Sequence, residues 1–302
     1  MSRKRRRKSL WLERAEYVFY RATRVILRFV SVDRARWLGR WLGGLASRVF
    51  RSRTRLATAN LKRTFPDRSG PECDAIARGC WRHFSGEIVV YVRDLDQSAE
   101  EVARGLDLAG REHLQRALAR GKGLIVYSAH FGNWESAIAI LPSFGLPFTV
   151  VARALDNELI ERDARRGRER AVKVVHRQEA ARELVAALKK REGVVMLPDQ
   201  AVLPREGLLV PFLGRPAWTT TAPARLAIHF GAPLLGIFCL PEAGRIRVEL
   251  QPPIIVEDLP EAERNEEFVT RLINDVISQM IRRHPQYWLW LHDRWKRAPE
   301  TS

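Results

Sequence analysis

Apolar residues at Trp11, Leu12, Ala15, Val18, Phe19, Ala22, Val25, Ile26, Phe29 and Val30 step along the chain by three and four. That spacing describes one face of a helix. Arg14, Arg21, Arg24 and Arg28 fall on the opposite face, so the pattern predicts a basic amphipathic helix of about six turns. No unbroken apolar run approaches the ~20 residues that a membrane span requires. Arg and Glu also interrupt any apolar core of a signal peptide. Trp37, Trp41 and Leu42 prolong the apolar content, and Gly39, Gly43 and Gly44 would permit close helix packing there.

Further on, Pro66-Asp-Arg-Ser-Gly-Pro71 reads as a turn between helical stretches near 53–63 and 72–92. From about residue 106 the pattern alternates. Short β-branched runs at 124–128, 148–152, 172–175, 194–197, 234–240 and 246–250 read as strands, with a possible short one at 210–212. Helical patterns near 111–120, 133–143, 157–170, 178–191, 220–230 and 262–283 separate them. Such alternation predicts an α/β fold with a mostly parallel central sheet flanked by helices. The expected division is an N-terminal helical membrane-docking arm over 1–52 and an α/β body over 53–302. In such sheets, chemistry belongs at the C-terminal ends of strands.

Charge sharpens this division. The chain of 302 residues carries a formal net charge of +17. Residues 1–70 hold 20 Lys and Arg against four acids, a net of +16, and residues 71–302 hold 32 against 31, a net of +1. A body this close to neutral does not point to nucleic acid, and the excess belongs to the arm, including the basic run over 3–8. The arm has three possible placements: in an anionic membrane interface, on nucleic acid phosphates, or with its apolar face packed on the body and its charges solvated. Three cysteines without a CxxC pair exclude a disulfide framework and make a zinc cluster improbable.

The most informative block is Leu124-Ile-Val-Tyr-Ser-Ala-His130-Phe-Gly132-Asn-Trp-Glu135. A buried strand delivers His130 to its C-terminal edge, Gly132 turns the chain, and Asn133 is placed to cap the next helix. Glu135 then falls in the first helical turn, where its carboxylate is expected to hold one imidazole nitrogen and leave the other as a general base. This is a base and its orienter without a Ser or Cys nucleophile, an arrangement suited to a substrate that brings its own hydroxyl. HExxH and GxSxG are absent, and Gly121-Lys-Gly123 precedes its strand, which argues against metallohydrolase, serine hydrolase and nucleotide-binding chemistry.

The HxxxxE block His130–Glu135 resembles the catalytic block of the bacterial late lipid A acyltransferases, within the wider glycerolipid and lysophospholipid acyltransferase superfamily. Further blocks follow in the order of that family. They are Arg153-Ala-Leu-Asp-Asn157, Met196-Leu-Pro-Asp199-Gln200, Val210-Pro-Phe-Leu-Gly214-Arg215 through Thr219–Thr221, and Tyr287-Trp-Leu-Trp-Leu-His292-Asp-Arg294-Trp-Lys296. The chain departs from the family where a spanning helix often opens the sequence. It also carries Ala154, Leu213 and Tyr287 where Pro, Phe and Gln are common.

The resemblance implies a membrane-associated O-acyltransferase on the cytoplasmic side of the inner membrane. Such an enzyme moves a fatty acyl group from an acyl carrier protein thioester, or acyl-CoA, to a hydroxyl of a lipid A precursor, with no metal and no cofactor beyond that donor. His130 and Glu135 are the expected catalytic pair. Arg153, Asn157, Asp199, Gln200, Gly214, Arg215 and Thr219 are expected to bind substrate, with Asp199 orienting Arg153 or an acceptor sugar and Gly214–Thr221 forming an anion-binding helix start. The Arg162–Arg170 run is a candidate docking face for the acidic carrier. The aromatic tail around Trp288, Trp290 and Trp295 walls an acyl tunnel, meets the interface or packs the core. This context favours the membrane placement of the arm. The alternatives are an acyltransferase for another glycolipid or lysolipid, such as a phosphatidylinositol mannoside, or a non-catalytic membrane-binding homologue.

Overall fold

The computed structural model describes residues 10–176, 178–242 and 245–299; the basic run over 3–8 lies outside them. Four helices lead the chain: α1 (Leu10–Leu27), α2 (Val32–Val49), α3 (Arg51–Thr64) and α4 (Gly70–Asp94). The predicted turn before α4 is a capping box, in which Ser69 and Glu72 bond each other's backbone N–H and Pro71 enters the first turn. A short α5 (Ala99–Ala103) precedes the α/β body. Its elements are β1 (Leu106–Ala109), α6 (Arg111–Leu118), β2 (Leu124–Tyr127), α7 (Trp134–Ala137), β3 (Phe148–Ala152), α8 (Glu158–Arg168) and β4 (Lys173–His176). They continue with α9 (Ala180–Lys189), β5 (Gly193–Met196), β6 (Leu208–Phe212), β7 (Arg215–Thr219), α10 (Ala222–Phe230), β8 (Leu234–Glu242), β9 (Arg245–Leu250) and α11 (Glu266–Arg283).

Seven strands form one sheet in the order β1-β9-β8-β2-β5-β3-β4. Every pairing is parallel except β8 with β9. The fold is therefore α/β with a mostly parallel central sheet flanked by helices. β2 is wholly buried and lies between β5 and β8, where the chain leaves for both sides of the sheet. A crevice outside the strand ends is expected at such a switch point.

Two local expectations are corrected, and a third is extended. The helix expected over 133–143 is a single α-turn, α7, continued as a 3₁₀ helix over Ile138–Phe144 that contains Pro142; proline removes the N–H that an α-helix would use. The short strand expected at 210–212 is present as part of β6, which pairs with β7 in an antiparallel hairpin closed by Leu213 and Gly214, both at positive φ, the geometry of a tight hairpin turn. Thr219 accordingly ends a strand and α10 begins only at Ala222, so Gly214–Thr221 is not a helix start. β1 escaped the sequence reading because it is a four-residue edge strand whose burial comes from its parallel partner β9.

The arm inverts a simple amphipathic expectation. Trp11, Phe19 and Phe29 are 79%, 75% and 84% exposed, and Leu12, Val18, Val25, Ile26, Trp37 and Trp41 are exposed beside them. The face turned to the body is instead that of Tyr17, Tyr20, Arg24 and Leu27, while Arg14, Arg21 and Arg28 stay exposed. Arg24 is buried and pairs with Asp163 at 3.0 Å and with Asp96, while Tyr17 donates to Asp163 at 3.4 Å. On α2, Arg36 pairs with buried Glu87 at 3.0 Å. Gly39 and Gly43 let α2 lie against α4: a Cβ at either would come within 2.5 Å and 2.4 Å of the carbonyl oxygens of Ser85 and Trp81. Of the three placements open in sequence, burial of the apolar face on the body is excluded. Among the described residues no helix is long and apolar enough to cross a membrane.

Candidate active site

β2 and β5 are parallel neighbours in a register that pairs Tyr127 with Met196. His130 and Asp199 each lie three residues beyond that pair, so the register brings them to the same height above the sheet. His130 Nδ1 meets Asp199 Oδ1 at 2.9 Å. Asp199 Oδ2 accepts two further bonds, from the His130 backbone N–H at 2.9 Å and from Trp288 Nε1 at 2.9 Å. The carboxylate is almost wholly buried and its acceptor capacity is well used, which fixes the imidazole orientation. With Nδ1–H donated to Asp199, Nε2 carries the lone pair and accepts from the Gln200 amide at 3.2 Å.

Burial opposes charge on both partners, but their mutual attraction and hydrogen bonds outweigh it. Asp199 is held below the usual carboxylate range and His130 above the usual imidazole range. The negative charge of Glu135 adds to the rise on His130.

The turn that carries His130 is stitched on both sides. Gly132 N–H donates to Tyr287 O at 2.8 Å and Leu289 N–H to His130 O at 3.1 Å. Gly132 sits at φ 58°, where a Cβ would lie 1.5 Å from Cys239 O; no other residue fits. Asn133 caps α7, accepting from Ser136 N–H at 3.1 Å, and donates to Glu87 at 2.7 Å. Glu87 also receives Arg36, so α2 is linked to the turn through one carboxylate.

Glu135 does not hold the imidazole. Its two oxygens accept from Arg168 Nε and Nη2 at 3.0 and 2.7 Å, because α8 brings a guanidinium fork to the first turn of α7. The Glu135 charge in turn outweighs the cost of burial and raises the Arg168 pKa.

His130, Glu135, Arg153 and Arg168 border one cavity of about 250 Å³. Its depth is apolar, with Val126, Ile138, Leu141, Val150, Val195 and Ile237 on its walls. Trp134 stands beside the imidazole, ring centres 5.4 Å apart. A reactive nitrogen at the mouth of a greasy cleft can serve an alkyl substrate whose polar end stops at His130.

The remaining sequence candidates separate. Arg153 is exposed at the cavity rim, and Asp199 orients His130 instead of Arg153 or a sugar. Asn157 is buried and committed: it caps α8 and donates to the Glu13 carbonyl and the Glu16 carboxylate, tying the arm down. Thr219 is fully buried and accepts from Arg294 and Asn274. Gly214 is a hairpin turn and Arg215 lies over the Trp295 ring at 4.3 Å. None of these last three lines the His130 cavity.

Sequence reading passed over Trp288 and Arg168 as partners of the two carboxylates. It also missed His292, whose Nε2 accepts from Ala201 N–H at 3.3 Å and so steadies the Asp199-Gln200 turn. Burial drives the His292 pKa down to about 4, which keeps that acceptor neutral.

Comparison with known proteins covers nearly the whole chain. The sequence model of the family described as bacterial lipid A biosynthesis acyltransferase matches residues 3–297. The lipid A biosynthesis palmitoleoyltransferase of Escherichia coli K12 is 27% identical over 266 residues, covering 87% of this chain and 85% of that protein. The lauroyltransferase of the same organism is 28% identical over 268 residues, with the same two coverages. A phosphatidylinositol mannoside acyltransferase of Mycobacterium tuberculosis is 30% identical over 201 residues, 65% of this chain and 62% of that protein. With this match and these relatives, the chain belongs to the bacterial lipid A biosynthesis acyltransferase family, enzymes that transfer acyl groups.

Proposed function

We propose that the protein transfers a fatty acyl group from an acyl carrier protein thioester to a hydroxyl of a lipid A precursor at the cytoplasmic face of the inner membrane. The observation that carries the reading is His130, its Nδ1 fixed by buried Asp199 and its Nε2 at the mouth of an apolar cavity. The acyl chain occupies that cavity and places its thioester carbonyl beside Nε2. The acceptor hydroxyl takes the place of the Gln200 amide at Nε2 and gives up its proton as its oxygen attacks the carbonyl carbon. The tetrahedral intermediate then expels the thiolate, which recovers the proton from His130. No acyl-enzyme forms, and no metal or further cofactor takes part.

The imidazolium formed in the first step is balanced by Asp199 directly and by Glu135 through space. A positioned base contributes roughly 10²–10⁴-fold, and the holding of thioester and hydroxyl together contributes the rest. Arg153, at the rim, is placed to meet a phosphate of donor or acceptor.

The decisive experiment is acyl transfer in vesicles with a lauroyl or palmitoleoyl carrier-protein donor and a lipid A precursor. Turnover by the wild type and its loss in His130→Ala, with folding retained, are expected. A His130→Ala variant that still turns over would overturn the assignment of the base. The similarity to a phosphatidylinositol mannoside acyltransferase supports a second acceptor class, which the same assay decides when that mannoside replaces the lipid A precursor.

A further inference from the structure

A second cavity, of about 620 Å³, shares no lining residue with the one at His130. α3 supplies Asn60 and Arg63, the start of β7 supplies Arg215, and the C-terminal tail supplies Asp293, Trp295 and Lys296. Three cations thus face one carboxylate. Among the described residues, none of the three cations closes an ion pair.

Three polar nitrogens on these walls also lack an acceptor among the described residues: Asn60 Nδ2, Arg215 Nη1 and Trp295 Nε1. Asn60 is 3% exposed and Trp295 6%. Native structures carry few buried donors without an acceptor. All three are shielded from solvent as placed, so a shared acceptor in the cavity would satisfy them by a small turn of these side chains toward it. The electrostatics agree: burial, and then the nearby charge of Arg63, pull the Arg215 pKa down, the effect an anion between the two would reverse. The Arg215 guanidinium lies over the Trp295 ring, which holds its fork in place.

We propose that this cavity is a phosphate-binding site, formed by Asn60, Arg63, Arg215, Trp295 and Lys296 and separate from the acyl cavity. A phosphate presents several acceptor oxygens and up to two negative charges, which suits two guanidinium forks, an ammonium, an amide and an indole N–H. The ligand is a phosphorylated lipid headgroup or free phosphate. The inference rests on the acyl-transfer reading only for the identity of a headgroup ligand, since phosphate binding itself requires no turnover.

The test is calorimetric titration of the full chain, in detergent, with inorganic phosphate and separately with short-chain phosphatidic acid, against acetate at matched ionic strength. Saturable binding is expected for at least one phosphate probe and not for acetate. Arg63→Gln and Lys296→Gln, both at exposed positions, should each weaken it about tenfold, and Arg215→Gln should abolish it. His130→Ala should bind unchanged, so a failure of the catalytic reading leaves this result standing. Binding of phosphatidic acid alone identifies a headgroup site, and binding of inorganic phosphate alone identifies a free-anion site. No binding by either probe, an equal effect of acetate, or full affinity in Arg63→Gln and Lys296→Gln overturns the proposal.

Discussion

Glu135 and Arg168 face each other through two parallel hydrogen bonds of 3.0 and 2.7 Å, at the wall of the cavity that His130 opens onto. Their side chains are 20% and 11% exposed, so the pair is largely screened from water. Removing one member leaves the other charged and half-solvated. Arg168→Met should therefore cost about 2 kcal/mol of stability, below the ~3–5 of a fully buried pair. It should also lower kcat, because Glu135 is then free to leave its place near the imidazole. Arg168→Lys retains the charge but not the fork and should recover part of both. Chemical denaturation and turnover on the same variants check this. Wild-type stability and kcat in Arg168→Met would show that the pair supports neither the fold nor His130.

Asp199→Asn tests the other carboxylate. Asp199 receives three donors, and either orientation of an Asn amide would set its NH₂ against one of them. The variant should lose stability as well as rate. The pH dependence separates the two effects. A general base works only when deprotonated, so with His130 in the proposed role activity should rise with pH through its pKa. Asp199 keeps that pKa above the ordinary 6.5 despite burial; without its charge, burial prevails and the acidic limb of kcat/KM should move to lower pH. An unchanged limb would separate His130 from the observed titration.

The same pair makes a signed statement about stability. His130, with a raised folded pKa, stabilises fully below the unfolded value of 6.5 and loses that contribution as pH climbs through the folded value. Asp199, with a lowered one, stabilises fully above 3.8 and loses it as pH falls through its folded value. The contribution is therefore greatest between these two ordinary values. Denaturation midpoints of the wild type and Asp199→Asn should differ most in that window, near pH 5, and the difference should narrow as pH climbs through the folded His130 pKa, leaving the part due to the bonds from Trp288 and the His130 backbone.

The architecture was legible in the alternation of apolar runs, and so was the position of His130 at a strand end. Its carboxylate partner was not. The sequence places Glu135 five residues from His130 and Asp199 sixty-nine, yet strand order puts β5 beside β2, and that order is written in no local pattern. Nothing in the spacing of Arg168 within a charged helix distinguished it from its solvated neighbours either. The Thr219–Thr221 run misled because threonines serve helix starts and strand ends alike. The arm misled in a different way. Its apolar face was legible, but that Arg24 alone of the four arginines turns to the body depends on Asp96 and Asp163, residues far along the chain that receive it.

The charge run on α8 shrinks as a docking face once its partners are known. Arg168 belongs to Glu135, Arg165 to Glu169 at 2.7 Å, and Arg170 to the carbonyls of Leu95 and Gln97. Arg162 and Arg166 remain exposed. If an acidic carrier protein docks here, Arg162→Glu with Arg166→Glu should raise the KM for the carrier-bound donor about tenfold and leave kcat nearly unchanged. The effect should fade with added salt. Unchanged KM at low ionic strength would place the carrier elsewhere.

The exposed apolar face of α1 and α2 gives the last prediction. Trp11, Phe19, Ile26, Phe29, Trp37 and Trp41 are all exposed along α1, the turn after it and α2, and Arg24 anchors α1 from its other side. If this face enters the headgroup region of a bilayer, each large apolar side chain contributes up to about 1.5–3 kcal/mol of partitioning. Phe19→Asp with Ile26→Asp should then reduce binding to anionic vesicles by at least about tenfold. Both positions are exposed, so the fold should keep its denaturation midpoint. Arg24→Ala acts through the opposite face: it leaves Asp163 buried without its closest cation, at a cost of about 3–5 kcal/mol, and should loosen the arm from the body while leaving the apolar residues intact. Flotation separates the two cases. The double Asp variant should stay at the bottom of the gradient as a folded protein, and Arg24→Ala should still float but unfold earlier. If the double Asp variant floats as the wild type does, and removal of residues 1–32 also changes nothing, the membrane contact lies outside this arm.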